Sequence, residues 1–156
     1  MPKLKTAEQA YDECLTQGFI NEIGTINREK ASSLVENAET SMSTAQIIIK
    51  AIDKKAKEWL SVYTHYYEAL RMLTEALLIF DKVSISNHQC LYACLCNRHP
   101  DLELDWNFFE KIRTKRNKSN YYGEQINYDD WREAEIKLKL YISTIKNEID
   151  KRLSEK

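Results

Sequence analysis

Glycine occurs three times and proline twice in 156 residues, against about 12% for the two together in ordinary domains. Sheet proteins need many tight turns, and tight turns need those two residue types. The shortage excludes a β-sandwich, a β-barrel and a glycine-rich nucleotide fold. No apolar run reaches the roughly 18 residues of a membrane span, so no membrane partner is expected. The charge also lacks a dominant sign: 23 Lys and Arg against 24 Asp and Glu leave a net −1. Any attraction to nucleic acid must therefore be local. The opening stretch Met1 to Glu8 turns acidic before an apolar core of the signal-peptide type develops. A cytoplasmic protein is the expectation. Four cysteines (Cys14, Cys90, Cys94 and Cys96) are too few for a disulfide scaffold, and reduced thiols are expected.

What remains is helix-forming. Hydrophobic residues make up 43% of the chain and charged residues 30%, enough apolar material for one folded core. The chain is expected to be all-α, an antiparallel helical bundle of about five helices. Residues 1–26 are read as an N-terminal helix and loop packing on that bundle, and residues 27–153 as the bundle itself.

The first helix is read over Thr6 to Ile20, and Gly18 and Gly24 bracket a loop. Between Thr25 and His99 there is neither glycine nor proline. Across that interval Val35, Ala38, Met42, Ala45, Ile49, Ile52, Ala56, Trp59, Tyr63, Tyr66, Leu70, Leu73, Leu77 and Phe80 follow steps of three and four. The seam reads either as one long coiled-coil helix or as two antiparallel helices. The polar run Asp53 to Glu58 favours a break there, with Glu58 to Asp81 as the central helix. Asp81 to Asn87 reads as a connection, with Ser86 or Asn87 capping a short helix that ends before Pro100. Asp101 or Asp105 opens the next helix, and Asn117 to Asn127 reads as a turn region. The last helix is expected from Asp129 or Asp130, with Asp130 and Glu133 as a capping box.

The stretch from Trp106 to Gly123 holds most of the candidate chemistry. Lys111, Arg113, Lys115, Arg116 and Lys118 put five cations into eight residues without an acid. Lys111, Lys115 and Lys118 read as a solvated face. Arg116 differs, because at 100° per residue it shares an arc of about 120° with Trp106, Phe109 and Ile112. A guanidinium on an apolar face needs a carboxylate, a phosphate or a partner surface. An internal ion pair and a ligand site are both open at this level. Asn117, Asn120, Tyr121 and Tyr122 follow as groups that can hydrogen-bond a phosphodiester or stack on a base.

His88, Cys90, Cys94, Cys96 and His99 are metal-ligand types, but on a helix Cys90 and Cys94 face away from the other three. No metal site and no cofactor are expected. His65 reads as a satisfied polar group among core tyrosines.

Two segments carry a family resemblance. One runs from Trp59 to Leu70 (Trp-Leu-Ser-Val-Tyr-Thr-His-Tyr-Tyr-Glu-Ala-Leu) and on through Glu75-Ala76-Leu77-Leu78 to Asn87-His88. The other is Arg116-Asn117-Lys118-Ser119-Asn120-Tyr121. Together they resemble the HEPN (higher eukaryotes and prokaryotes nucleotide-binding) family of small helical bundles, over roughly Ser33 to Ile149. The resemblance implies an Arg-x4–6-His motif at Arg116, whose Arg and His from two protomers cleave RNA without metal.

Here Arg116 and Asn117 match that motif, but spacings of four, five and six reach Tyr121, Tyr122 and Gly123. No histidine follows Arg116. A phenol with a pKa near 10 is a poor base at neutral pH. The expectation is therefore a homodimer binding RNA or a nucleotide through Arg113, Arg116, Asn117, Asn120, Tyr121 and Tyr122, without efficient catalysis. Two alternatives stand beside it. One is an interaction module pairing with a nucleotidyltransferase in a toxin–antitoxin-like system. The other is a weak metal-independent endoribonuclease using Arg116 and Tyr121 as catalytic groups.

Overall fold

The computed structural model describes residues 4–155. Among the described residues the chain is all-α apart from one pair of three-residue strands. Helix α1 (Ala7–Thr16) starts at Thr6, whose hydroxyl accepts the Gln9 amide while the Gln9 side chain returns to the Thr6 amide. That reciprocal cap defines the start. The helix stops earlier than expected. Gly18 takes the left-handed conformation at φ 78°, and Ile20, expected in the helix, begins strand β1 (Ile20–Glu22).

Helices α2 (Arg28–Ala51) and α3 (Trp59–Phe80) are the two halves of the long seam, and the chain breaks between them where the polar run lies. Ile52 goes extended, and the Trp59 indole N–H donates to the Asp53 carbonyl at 2.9 Å. Fully buried positions on α2 include Ala31, Ala38 and Ala45, so its backbone comes close to α3. Helix α3 is apolar on most of its circumference, from Trp59 through Leu70 and Leu73 to Phe80. It is the central element, flanked by α2 and α6.

The connection after α3 contains β2 (Val83–Ile85), antiparallel to β1 with Ile20 opposite Ile85 and Glu22 opposite Val83. Apart from Ile20, both strands fall where a loop or connection was expected, being too short to show a period-two pattern. Asn87 caps α4 (His88–Arg98) through the Cys90 amide. A 3-10 turn, Pro100–Leu102, leads to Asp105, which caps α5 (Trp106–Tyr122).

Helix α5 corrects the expected turn region. Asn117 to Tyr122 are helical, and the helix ends only at Gly123, at φ 70°, whose amide returns to the Ser119 carbonyl. Polar residues alone do not stop a helix, whereas a left-handed glycine does. Helix α6 (Tyr128–Ser154) starts earlier than expected, with Asn127 and Asp130 forming the capping box in place of Asp130 and Glu133. Its far end is closed by Arg28 of α2, whose Nη2 donates to the carbonyls of Arg152, Leu153 and Glu155. Among the described residues no helix is long and apolar enough to cross a membrane.

The expectation of reduced thiols fails for two of the four cysteines. Cys14 of α1 and Cys90 of α4 form a disulfide, with Cα atoms 5.8 Å apart. Packing of α1 on α4 brings together residues 76 positions apart in sequence, a pairing that no local spacing reveals. Cys94 and Cys96 are free.

Candidate functional site

Trp106, Phe109 and Ile112 are buried, and Arg116 continues their face of α5 with its side chain 18% exposed. Its Nη2 donates to Glu68 Oε1 of α3 at 3.1 Å, and its Nη1 donates to Asn117 Oδ1 at 3.3 Å. The guanidinium carbon lies 5.2 Å from the centre of the Tyr67 ring. Its Nε is buried without a hydrogen-bond partner among the described residues. Glu68 serves a second cation, accepting from Arg71 Nε at 2.8 Å, while Arg71 also reaches Glu75.

Arg116 and Asn117 border a groove of about 420 Å³ between the C-terminal half of α5 and the N-terminal end of α4. Arg113, Arg116, Asn117 and Tyr121 line it from α5, and Asn87, His88 and Gln89 from the start of α4. Arg113 is held by a two-pronged pair with Glu110, at 2.9 and 3.0 Å, and Gln89 donates to the same carboxylate. The positive end of the α4 dipole opens on this space.

His88 is the group that the spacing argument missed. Its Nδ1 lies 3.1 Å from the Tyr67 hydroxyl. Burial holds its pKa below the usual 6.5, and the nearby Arg71 and Arg116 add to the effect, so the imidazole is neutral at neutral pH. Burial also pushes the Tyr67 and Tyr92 phenols up, which keeps both protonated. The available signal was Asn87-His88, which follows a connection and opens a helix. Grouping His88 with the cysteines by ligand type hid it.

The other expected residues separate. Tyr121 is at the groove and 75% exposed; Tyr122 is 81% exposed, and neither it nor the exposed Asn120 lines the groove. Lys111, expected on a solvated face, is exposed and pairs with Glu133 of α6 at the surface, whereas Lys115 is half-buried against Asp130. They flank a second pocket of about 390 Å³, between α5 and α6, where Lys137 also meets Asp105. Every cation there has an acid, as Arg113 and Arg116 also do at the groove, but among the described residues none of the three lysines leaves a buried N–H without a partner. The five metal-ligand types also part: His88 enters the groove, Cys90 the disulfide, and His99 bonds Asp81 at 2.7 Å. Cys94 is buried, and Cys96 points its sulfur at the Leu104 carbonyl. His65 donates from Nδ1 to the Ser61 carbonyl at 2.7 Å.

The arrangement can hold an anion against two guanidinium groups, an amide side chain and a helix start, with a neutral imidazole beside it. Comparison with family models, with curated proteins and with solved structures finds no match to this chain.

Proposed function

We propose that this chain is a HEPN-like protein that binds RNA or a nucleotide phosphate in the groove between α4 and α5. The carrying observation is Arg116: a guanidinium on an apolar helix face, bordering a groove, with one buried N–H left without a partner among the described residues. A phosphate oxygen satisfies such a group, and one carboxylate, Glu68, already serves two arginines. Tyr121 at the rim offers a stacking surface to a base. Two copies with grooves facing across a two-fold axis would double the local positive charge.

The test is fluorescence anisotropy with a labelled single-stranded oligoribonucleotide at low salt. Arg116→Ala weakens binding by at least about tenfold, whereas Lys115→Ala, already paired with Asp130, changes it by less than about twofold. Equal effects from the two, or no binding by the intact chain, overturn the reading. A partner protein that protects Arg116, with no RNA affinity in its absence, supports the interaction module instead.

A second reading, metal-independent RNA cleavage, is favoured by His88 rather than by Tyr121. In the tautomer that donates from Nδ1 to the Tyr67 oxygen, Nε2 is free to take a proton from a ribose 2′-hydroxyl. The 2′-oxygen then attacks phosphorus, and the bond to the 5′-oxygen breaks, that oxygen taking a proton from water, to give a 2′,3′-cyclic phosphate and a strand with a 5′-hydroxyl. Cleavage in a chelator, abolished by His88→Gln and retained in Tyr121→Phe, supports this; no turnover by the intact chain removes it.

A further inference from the structure

The Cys14–Cys90 bond ties α1 to the first turn of α4, two residues after His88 in the groove's lining. Cys90 is the third residue of α4, and its amide is the one that Asn87 Oδ1 caps at 2.8 Å. Asn87 and His88, which begin that turn, line the groove. On the other side of the bond, α1 packs on α4, with Ala7, Ala10 and Tyr11 against the core. Only Ala10 and Cys14 of α1 are buried. Two side chains reach its neighbourhood, Asn97 to the Ala7 carbonyl and Trp106 to the Lys5 carbonyl, each at 2.9 Å.

We infer that the Cys14–Cys90 disulfide is a redox control on the groove: oxidised, it pins the first turn of α4, and reduced, it releases that turn and weakens the hold on a phosphate ligand. The inference rests on the phosphate-binding reading above. A dithiol reductant supplies the chemistry. One of its thiolates attacks a sulfur of the bond, the Cys14–Cys90 linkage breaks, and a mixed disulfide forms. The second reductant thiol then closes on the first, so two electrons and two protons end on Cys14 and Cys90 and the reductant leaves as a disulfide.

Cys94, one turn along α4 from Cys90, does not take over the bond unaided. Burial pushes its thiol up to about 11, which leaves almost no thiolate to attack. The reductant must come from outside, and it reaches the buried sulfurs when α1 opens locally from α4. With the bond gone, α1 keeps only Ala10 as a buried anchor and Ala7 and Tyr11 as partly buried ones, and its hold on α4 weakens. The first turn of α4 then frays as an unsupported helix end does.

The test compares the oxidised chain, the same chain reduced with dithiothreitol, and Cys14→Ser. Amide hydrogen exchange is followed over Asn87 to Leu91, and anisotropy is measured with the labelled oligoribonucleotide. Reduction speeds exchange in that turn by about tenfold or more while α3 is unchanged. It also weakens the oligonucleotide by at least about threefold, and reoxidation restores both. Cys14→Ser behaves as the reduced chain and ignores dithiothreitol, and Cys94→Ser behaves as the intact chain. Unchanged exchange, or equal affinity in the two redox forms, overturns the inference. If neither form binds the oligonucleotide, the phosphate reading falls, and exchange alone decides whether the bond governs the groove wall.

Discussion

Arg116 and Glu68, 48 residues apart on α5 and α3, meet at 3.1 Å with both side chains mostly shielded from water. The pair explains how a guanidinium can sit on an apolar face before any ligand arrives. It also sets the competition that a ligand enters. Glu68 is an internal anion shared between Arg71 and Arg116, so on the proposed reading a phosphate must either displace it or occupy the N–H directions that it leaves free.

Glu68→Gln separates those functions. The substitution keeps the shape and removes the charge, leaving two partly buried guanidinium groups less neutralised. Unfolding in urea should show a loss of about 1–3 kcal/mol. Oligonucleotide affinity at low salt should rise, because the internal competitor is gone. A fall in affinity instead would show that Glu68 orients Arg116 for the ligand.

His88 gives the groove a pH dependence of known sign. Its folded pKa lies below 6.5, through burial first and then Arg71 and Arg116, so the unfolded chain binds its proton more readily. The contribution to stability is complete above about pH 6.5 and is lost as pH falls toward the folded value. Urea unfolding from about pH 8 to about pH 5 should therefore decline more steeply in the intact chain than in His88→Gln. Bound phosphate reverses the balance by favouring the imidazolium. Affinity should rise over the same fall in pH, and His88→Gln should flatten that rise.

The close approach of α2 to α3 depends on alanine. Ala38 is fully buried, whereas Ile47 on the same helix is 68% exposed. Ala38→Leu forces three extra carbon atoms between the backbones and should cost about 1–3 kcal/mol or more by chemical denaturation. Ile47→Ser should stay within about 0.5 kcal/mol.

The helices were legible in the sequence because their evidence is local. Two missing residue types, a seam of threes and fours, and a polar run at Asp53 to Glu58 sufficed for α2 and α3. The same periodicity placed Arg116 on the face of Ile112. It did not supply Glu68 as the partner, because spacing along one helix says nothing about which helix lies opposite. His88 and the Cys14–Cys90 bond were hidden for the same reason: each acquires its role only when α4 has turned back on its neighbours. The strands failed differently, since three residues cannot display an alternation. The end of α5 was misplaced because Asn117, Ser119 and Asn120 have turn chemistry, yet nothing before Gly123 forces the backbone out of the helix.

Gly123 thus sets how far the groove-bearing helix extends. Its φ of 70° is one that a side chain with a Cβ resists, and a Cβ built there would meet no neighbouring atom. The cost of Gly123→Ala is therefore conformational and should be about 1 kcal/mol in urea unfolding. Gly123→Asn should lose less, because asparagine tolerates the left-handed region. The last turn of α5 carries Tyr121 and Tyr122, so the alanine variant should also speed amide exchange at those residues while leaving Trp106 to Ile112 unchanged. Equal exchange at both ends of the helix would show that the glycine cap does not define where α5 stops.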